Sequence, residues 1–191
     1  MPNYGVKPDE LTRRTALASL VLTVAGTLTR PALAQSSAIN DIIKGLAPIE
    51  GQIVSGQYQP IKREPVIVED GTIYVDAARH VDLEVYFAYD SDEITLRARN
   101  QLRGLGEALE SDLLSRFRYL IAGHSDAVGS DAYNIDLSAR RARAVFAYLT
   151  ENYSIDPSRL MTVGFGFRRL KRPDAPYAAI NRRVEILMIV I

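Results

Sequence analysis

Between Val81 and Phe87 apolar and polar residues alternate, with Val81, Leu83, Val85 and Phe87 on one side and Asp82, Glu84 and Tyr86 on the other. That is the period of a half-buried strand. After "DSDEIT", which supplies turn and capping oxygens, the period changes: Ile94, Ala98, Leu102, Leu105 and Leu109 recur at helical spacing and leave Arg97, Arg99, Arg103 and Glu107 toward water. "FRYLIAG" (Phe117 to Gly123) predicts a second strand, followed by a second helix that runs to Tyr148 or beyond. Pro157, in "NYSIDPSR", prevents that helix from continuing. "LMTVGFGF" predicts a third strand and "RRVEILMIVI" a fourth. Upstream, "PVIVEDGTIYVD" (Pro65 to Asp76) sets two β-prone runs around Asp70-Gly71, which predicts a small hairpin ahead of the main domain. "NDIIKGLAPIE" reads as a short helix and "GQYQP" as loop. The order strand, helix, strand, helix, strand, strand predicts an α+β two-layer sandwich, a mixed four-stranded sheet with helices packed on it.

The first residues follow a different pattern. "LTRR" (Leu11 to Arg14) brings positive charge, Thr15 to Leu28 an apolar stretch, and Ala32 to Ala34 a small-residue cleavage site. Residues 1–34 are therefore read as an export signal, residues 35–76 as an N-terminal segment with a short hairpin, and residues 77–191 as the main domain. Arg13 and Arg14 after Thr12 resemble a twin-arginine signal, although Ala16 stands where that signal often has phenylalanine. The apolar stretch falls short of the roughly 20 residues of a membrane-spanning helix. The chain has no cysteine, which excludes a disulfide framework and a thiol for a lipid anchor. Lysine plus arginine and aspartate plus glutamate each number 23, so no basic footprint points to nucleic acid.

The chemistry concentrates in "GHSDAVGSDAYNIDLSARRARAV", Gly123 to Val145. At about 100° per residue, Asn134, Leu137, Arg141, Val145 and Tyr148 share one face of the second helix, which puts Arg141 and Asn134 on the side that should be buried. Arg140 and Arg143 fall on the flank and the back. A charge on a buried face requires a partner, and Asp126, just past the second strand, is the natural candidate. Gly129 allows the turn that brings strand end and helix start together, and the first helical turns offer backbone N–H groups and a positive dipole end. Two readings are open. Asp126 and Arg141 either bridge each other as a structural pair, or they stand apart as the two corners of a pocket for a zwitterion.

The same stretch resembles the signature of the OmpA C-terminal-like (OmpA/MotB) family of periplasmic peptidoglycan-binding domains. The resemblance is carried by "GHSDAVG", "YNIDLSARRARAV", "VGFG" and "NRRVEI" in that order and extends from about Val81 to Val190. It implies a non-catalytic domain of the periplasm, associated with the outer membrane or cell wall, that takes no cofactor and no metal and holds the diaminopimelate of the peptidoglycan stem peptide. The residues it implies are Asp126 for the ligand's ammonium and Arg141 for its carboxylate, with Asn134, Leu137 and Arg183 shaping or flanking the pocket. Ser125 replaces the family's usual threonine and keeps the hydroxyl. "FRRLKRPDAPYAAI" replaces the acidic, asparagine-containing loop common in the family, and its basic run reads either as a solvated loop or as a contact to glycan or a partner. The stretch before Val81 is too short for the family's transmembrane barrel, but residues 35–76 could engage an envelope protein partner.

The alternative function is a periplasmic hydrolase or metal-dependent enzyme acting on the wall, suggested by His124, Ser125 and Asp126 side by side. Neighbours on an extended segment point to opposite faces and cannot form a triad with one another. A metal site built on His124 and Asp126 would have just His80 as a further histidine and no cysteine.

Overall fold

The computed structural model describes residues 30–47, 61–85, 87–88 and 90–190. Most of the expected export signal, and the "GQYQP" loop, lie outside the described residues. Among these residues three α-helices, α1 (Arg30–Leu46), α2 (Leu96–Glu110) and α3 (Asp131–Asn152), accompany five strands: β1 (Arg63–Val68), β2 (Gly71–Leu83), β3 (Tyr119–His124), β4 (Leu160–Gly166) and β5 (Val184–Val190). The strands form one sheet in the order β1-β2-β5-β3-β4. The β3–β4 pair is parallel, with α3 as its crossover, and the other pairs are antiparallel.

The fold is the α+β sandwich expected, but its sheet has five strands rather than four. The hairpin predicted ahead of the domain is part of the same sheet. Its second arm does not stop at Asp76; β2 runs on to Leu83 through a register shift between Asp76 and His80 and pairs with β5 on both sides of that shift. The irregularity is stabilised by Asp76, whose carboxylate is fully buried, accepts the N–H groups of Lys62 and Ala78, and bonds to the Arg79 guanidinium. The strand expected over Val81–Phe87 accordingly ends early. Phe87 makes an isolated bridge to Ile94 instead of a ladder, and this frees the chain there to wall a cavity.

Period-two alternation divides the sheet between two apolar clusters. Tyr119, Ile121, Val184, Ile186 and Met188 join Leu102, Leu105 and Leu109 of α2 and Val145 and Leu149 of α3 in the main core, where full burial of each large aliphatic side chain contributes roughly 1.5–3 kcal/mol. Leu120, Ala122 and Leu187 point the other way, to Val66 and Val75. On α2 the buried positions include Ala98, Leu102, Leu105 and Leu109, while Arg97, Arg99 and Arg103 are exposed. Thr95 caps the helix by accepting the N–H of Ala98. Ile42 and Leu46 of α1 are buried in the same core, so this helix is packed into the domain.

Two glycines set the height of α3 above the sheet. A Cβ on Gly123 would lie 2.0 Å from the carbonyl oxygen of Ser138, and one on Gly164 would lie 2.5 Å from both the amide nitrogen of Ala139 and the carbonyl oxygen of Ile135. No side chain fits there, and the helix backbone rests directly on the ends of β3 and β4. Ser138 fastens the contact: its hydroxyl donates to Ile135 O at 3.0 Å and accepts the N–H of Gly166 at 2.9 Å.

Candidate functional site

That close approach carries the polar side chains of α3 to the end of β3. Backbone bonds hold the β3 exit: His124 N–H donates to Arg183 O, Ser125 N–H to Gly166 O and Ala127 N–H to Pro176 O. Gly129 takes φ 95°, a left-handed conformation open to glycine, and the chain turns into α3, whose N-cap Ser130 accepts the N–H of Tyr133. Asn134 closes the turn from inside the helix. Its amide donates to Val128 O at 2.8 Å and Ser130 O at 3.1 Å, so it orients the loop that carries Asp126.

A cavity of about 480 Å³ opens at this point, and Ser125, Asp126, Asn134, Leu137 and Arg141 all line it, together with Phe87, Tyr133 and Arg182. Five of the six residues singled out in the sequence are thus brought together. Asp126 and Arg141 do not bridge each other. Asp126 Oδ1 accepts the N–H of Val128 at 3.1 Å and Oδ2 pairs with Arg182 Nη1 at 2.7 Å. Arg141 is held from its other side: Nε donates to Ser91 O at 3.0 Å, Nη2 reaches Ala88 O at 3.5 Å, and the guanidinium lies 5.0 Å from the centre of the Phe87 ring. Burial pushes this guanidinium below its ordinary value, as do nearby Arg140 and Arg182, while Tyr133 and Asp126 act in the opposite direction. It stays charged, because arginine titrates far above neutral pH. Tyr133 donates its hydroxyl to Asp90 across the mouth of the cavity. Asp126 and Arg141 thus stand unbridged in the wall of one cavity, with Leu137 in the same lining.

The OmpA family model matches residues 86–184, a little over half of the chain. The chain belongs to the OmpA family. Outer membrane porin F of Pseudomonas aeruginosa is 35% identical over 107 residues, which cover 55% of this chain and 30% of the porin. The peptidoglycan-associated lipoprotein of the same organism is 34% identical over 119 residues, covering 61% of this chain and 68% of the lipoprotein. The chain therefore spans less than a third of that porin's length and about two thirds of the lipoprotein's. Among solved structures, the cell wall anchor of the T6SS from Pseudomonas aeruginosa shares the fold, with a TM-score of 0.50 at 23% identity over 82% of this chain and 97% of that one.

The sixth residue singled out, Arg183, has a different setting in this OmpA-family chain. Its Nε donates to Asp82 Oδ1 at 2.7 Å, its Nη2 lies 3.5 Å from Glu185 Oε2, and its fork reaches Arg169 O at 3.4 Å. It lines a smaller neighbouring cavity of about 120 Å³, alongside His124, Glu84 and Arg182. Its neighbour Arg182, which the sequence reading passed over, is the one on Asp126. Phe87, Tyr133 and Asp90 were also passed over. The available signal for Arg182 was its place beside Arg183 in "NRRVEI".

His124, Ser125 and Asp126 go separate ways. His124 Nε2 lies 3.0 Å from Glu185 Oε2, Ser125 Oγ has no hydrogen-bond partner among the described residues, and Asp126 meets Arg182. Burial holds His124 below its ordinary value, and nearby Arg183 adds to this against the opposing pull of Glu185. A neutral imidazole donating to a carboxylate follows. Among the described residues no three histidine, aspartate or glutamate side chains are placed to hold a metal ion, and no helix is long and apolar enough to cross a membrane. The basic loop is largely neutralised. Arg168 pairs with Asp131, Lys171 with Asp82 and Arg172 with Asp174, each at 2.6 Å, and Arg169 lies 4.2 Å from the centre of the Phe165 ring.

Proposed function

We propose that this chain binds peptidoglycan without catalysing any reaction on it, and that it does so by gripping the diaminopimelate of the stem peptide. The observation that carries the reading is the cavity of about 480 Å³ whose wall holds Asp126 and Arg141 unpaired with one another. The ligand's ammonium meets the Asp126 carboxylate, its carboxylate meets the Arg141 guanidinium, and its methylene chain lies against Leu137. Asn134 holds the loop in place, and Ser125, its hydroxyl buried, forms part of the cavity wall. Membership of the OmpA family and kinship with a peptidoglycan-associated lipoprotein support the choice of polymer.

The protein works in the periplasm, at the outer membrane or cell wall. Residues 1–34 direct export, residues 77–191 hold the wall, and residues 35–76 present a surface to an envelope partner, with Ile61 and Ile67 standing exposed there. A charge-assisted hydrogen bond contributes roughly 1.5–3 kcal/mol, so two or three give modest affinity for a single stem peptide. Retention on the wall then comes from many copies of the ligand and rapid rebinding.

The test is co-sedimentation of the purified chain with sacculi, comparing wild type with Asp126→Ala and Arg141→Ala after each is checked for folding. Wild type should pellet and both variants should stay in solution. Equal pelleting of the three folded proteins would reject the pocket.

A further inference from the structure

Asp126 is already ion-paired with Arg182. Of its two partners, the Val128 N–H belongs to its own loop, whereas Arg182 arrives from a separate segment that follows the short 3-10 turn Ala179–Asn181. The pair is asymmetric: the Asp126 side chain is 12% exposed and that of Arg182 is 49%. Among the described residues the bond to Asp126 is the one hydrogen bond the Arg182 guanidinium makes. The aspartate sits on a loop fastened by backbone bonds at His124, Ser125 and Ala127. The half-exposed arginine can therefore swing into solvent once another cation takes its place on the carboxylate, which cannot leave.

Resting on the reading above, we infer that Arg182 is a built-in competitor for the ligand's ammonium, occupying Asp126 until a suitable ligand displaces it. A simple amine gains little by the exchange, since one ion pair replaces another. A zwitterion gains more: once its ammonium has taken Asp126, its carboxylate meets Arg141 and also the released Arg182, which lines the same cavity. The competitor thus selects ligands that carry both charges and rejects monocations.

The experiment titrates the purified chain with n-butylamine and, separately, with a soluble stem peptide containing diaminopimelate, following the amide resonance of Val128. Wild type is compared with Arg182→Gln, Arg182→Ala and Arg182→Lys. Removal of the guanidinium in the first two should raise butylamine affinity about two- to fivefold, the weight of an ion pair with one exposed partner, and narrow the preference for the peptide. Arg182→Lys keeps a cation on Asp126 and should stay close to wild type, which separates competition from a general disturbance of the loop. Unchanged or weakened butylamine binding in the glutamine and alanine variants would overturn the competitor role. A wild-type chain that ignores the peptide, with Asp126→Ala and Arg141→Ala behaving identically, would instead remove the pocket reading on which it rests.

Discussion

The hydroxyl of Ser138, in the third turn of α3, accepts the N–H of Gly166 at the end of β4 across 2.9 Å in a fully buried setting. This one bond ties the helix that carries Asn134, Leu137 and Arg141 to the sheet end that positions Asp126. Ser138→Ala leaves the Gly166 N–H buried without a partner, and should lower stability by about 1–3 kcal/mol. Urea unfolding should show the loss as a lower midpoint with an unchanged slope.

Gly123→Ala is expected to be far more damaging. The added methyl would sit 2.0 Å from a backbone oxygen of α3, where no side-chain rotation can relieve it, so α3 must lift from the sheet. Loss of the cooperative melting transition, or a midpoint well below that of Ser138→Ala, should appear in thermal unfolding. A variant as stable as wild type would show that α3 does not rest on Gly123.

Arg183→Ala should damage the fold more than the binding cavity. The change takes the guanidinium from Asp82 and Glu185, whose side chains are 18% and 14% exposed, and leaves Glu185 with His124 alone. Removing one partner of a buried ionic cluster costs about 3 kcal/mol or more, with Lys171 left to compensate Asp82 in part. Stability should fall by about that amount, while sacculus binding measured well below the new melting temperature persists. Arg141→Lys should do the reverse. It preserves charge and most packing, but loses the planar fork that holds Ser91 O and, on the proposed reading, would meet a ligand carboxylate as well, and binding should weaken about tenfold with a small change in stability.

Acid should destabilise the protein in two stages. His124 is held below its ordinary value of about 6.5, chiefly by burial, so below that pH the unfolded chain takes up a proton that the folded chain refuses. Stability therefore rises with pH across this window and is lost as pH falls from about 6.5 toward the folded value. Burial alone would raise Asp82 and Glu185, but hydrogen bonds from Lys171 and Arg183 to the first and from His124 to the second leave both below the usual carboxylate range. Their contribution is present above their ordinary values near 4 and disappears as pH falls through the depressed ones. His124→Gln, which keeps a donor for Glu185, should flatten the upper stage and leave the lower one. Equal slopes for the two proteins between pH 5 and 6.5 would sink the assignment to His124.

Much of the domain could be read from periodicity because its elements are amphipathic in the ordinary way. On α2 the apolar stripe from Ala98 to Leu109 determines which side enters the core, and on α3 the helical angle alone puts Asn134, Leu137 and Arg141 on one face. The remainder depends on contacts that periodicity does not encode. Nothing in "DAARH" announces that β2 passes through a register shift and continues, since the stabilising element is a buried aspartate bonding across the irregularity. Phe87 fits the alternation of a strand and yet lies under Arg141 on the cavity wall, because the ladder ends at Leu83. Arg182 and Arg183 are adjacent letters with opposite duties, and only the 3-10 turn before them decides which reaches Asp126 and which reaches Asp82.

The pairing of Arg168, Lys171 and Arg172 with aspartates bears on kinetics as well as on structure. A dense run of cations would pull an anionic polymer in from a distance, yet each of these three cations has an aspartate within one contact length, Lys171 sharing Asp82 with Arg183. The far field of that loop is weakened, and long-range steering needs an uncompensated field. First encounters should therefore proceed at the unassisted diffusive pace of roughly 10⁵–10⁷ M⁻¹s⁻¹ and vary little with ionic strength, so that recognition begins when the two surfaces touch.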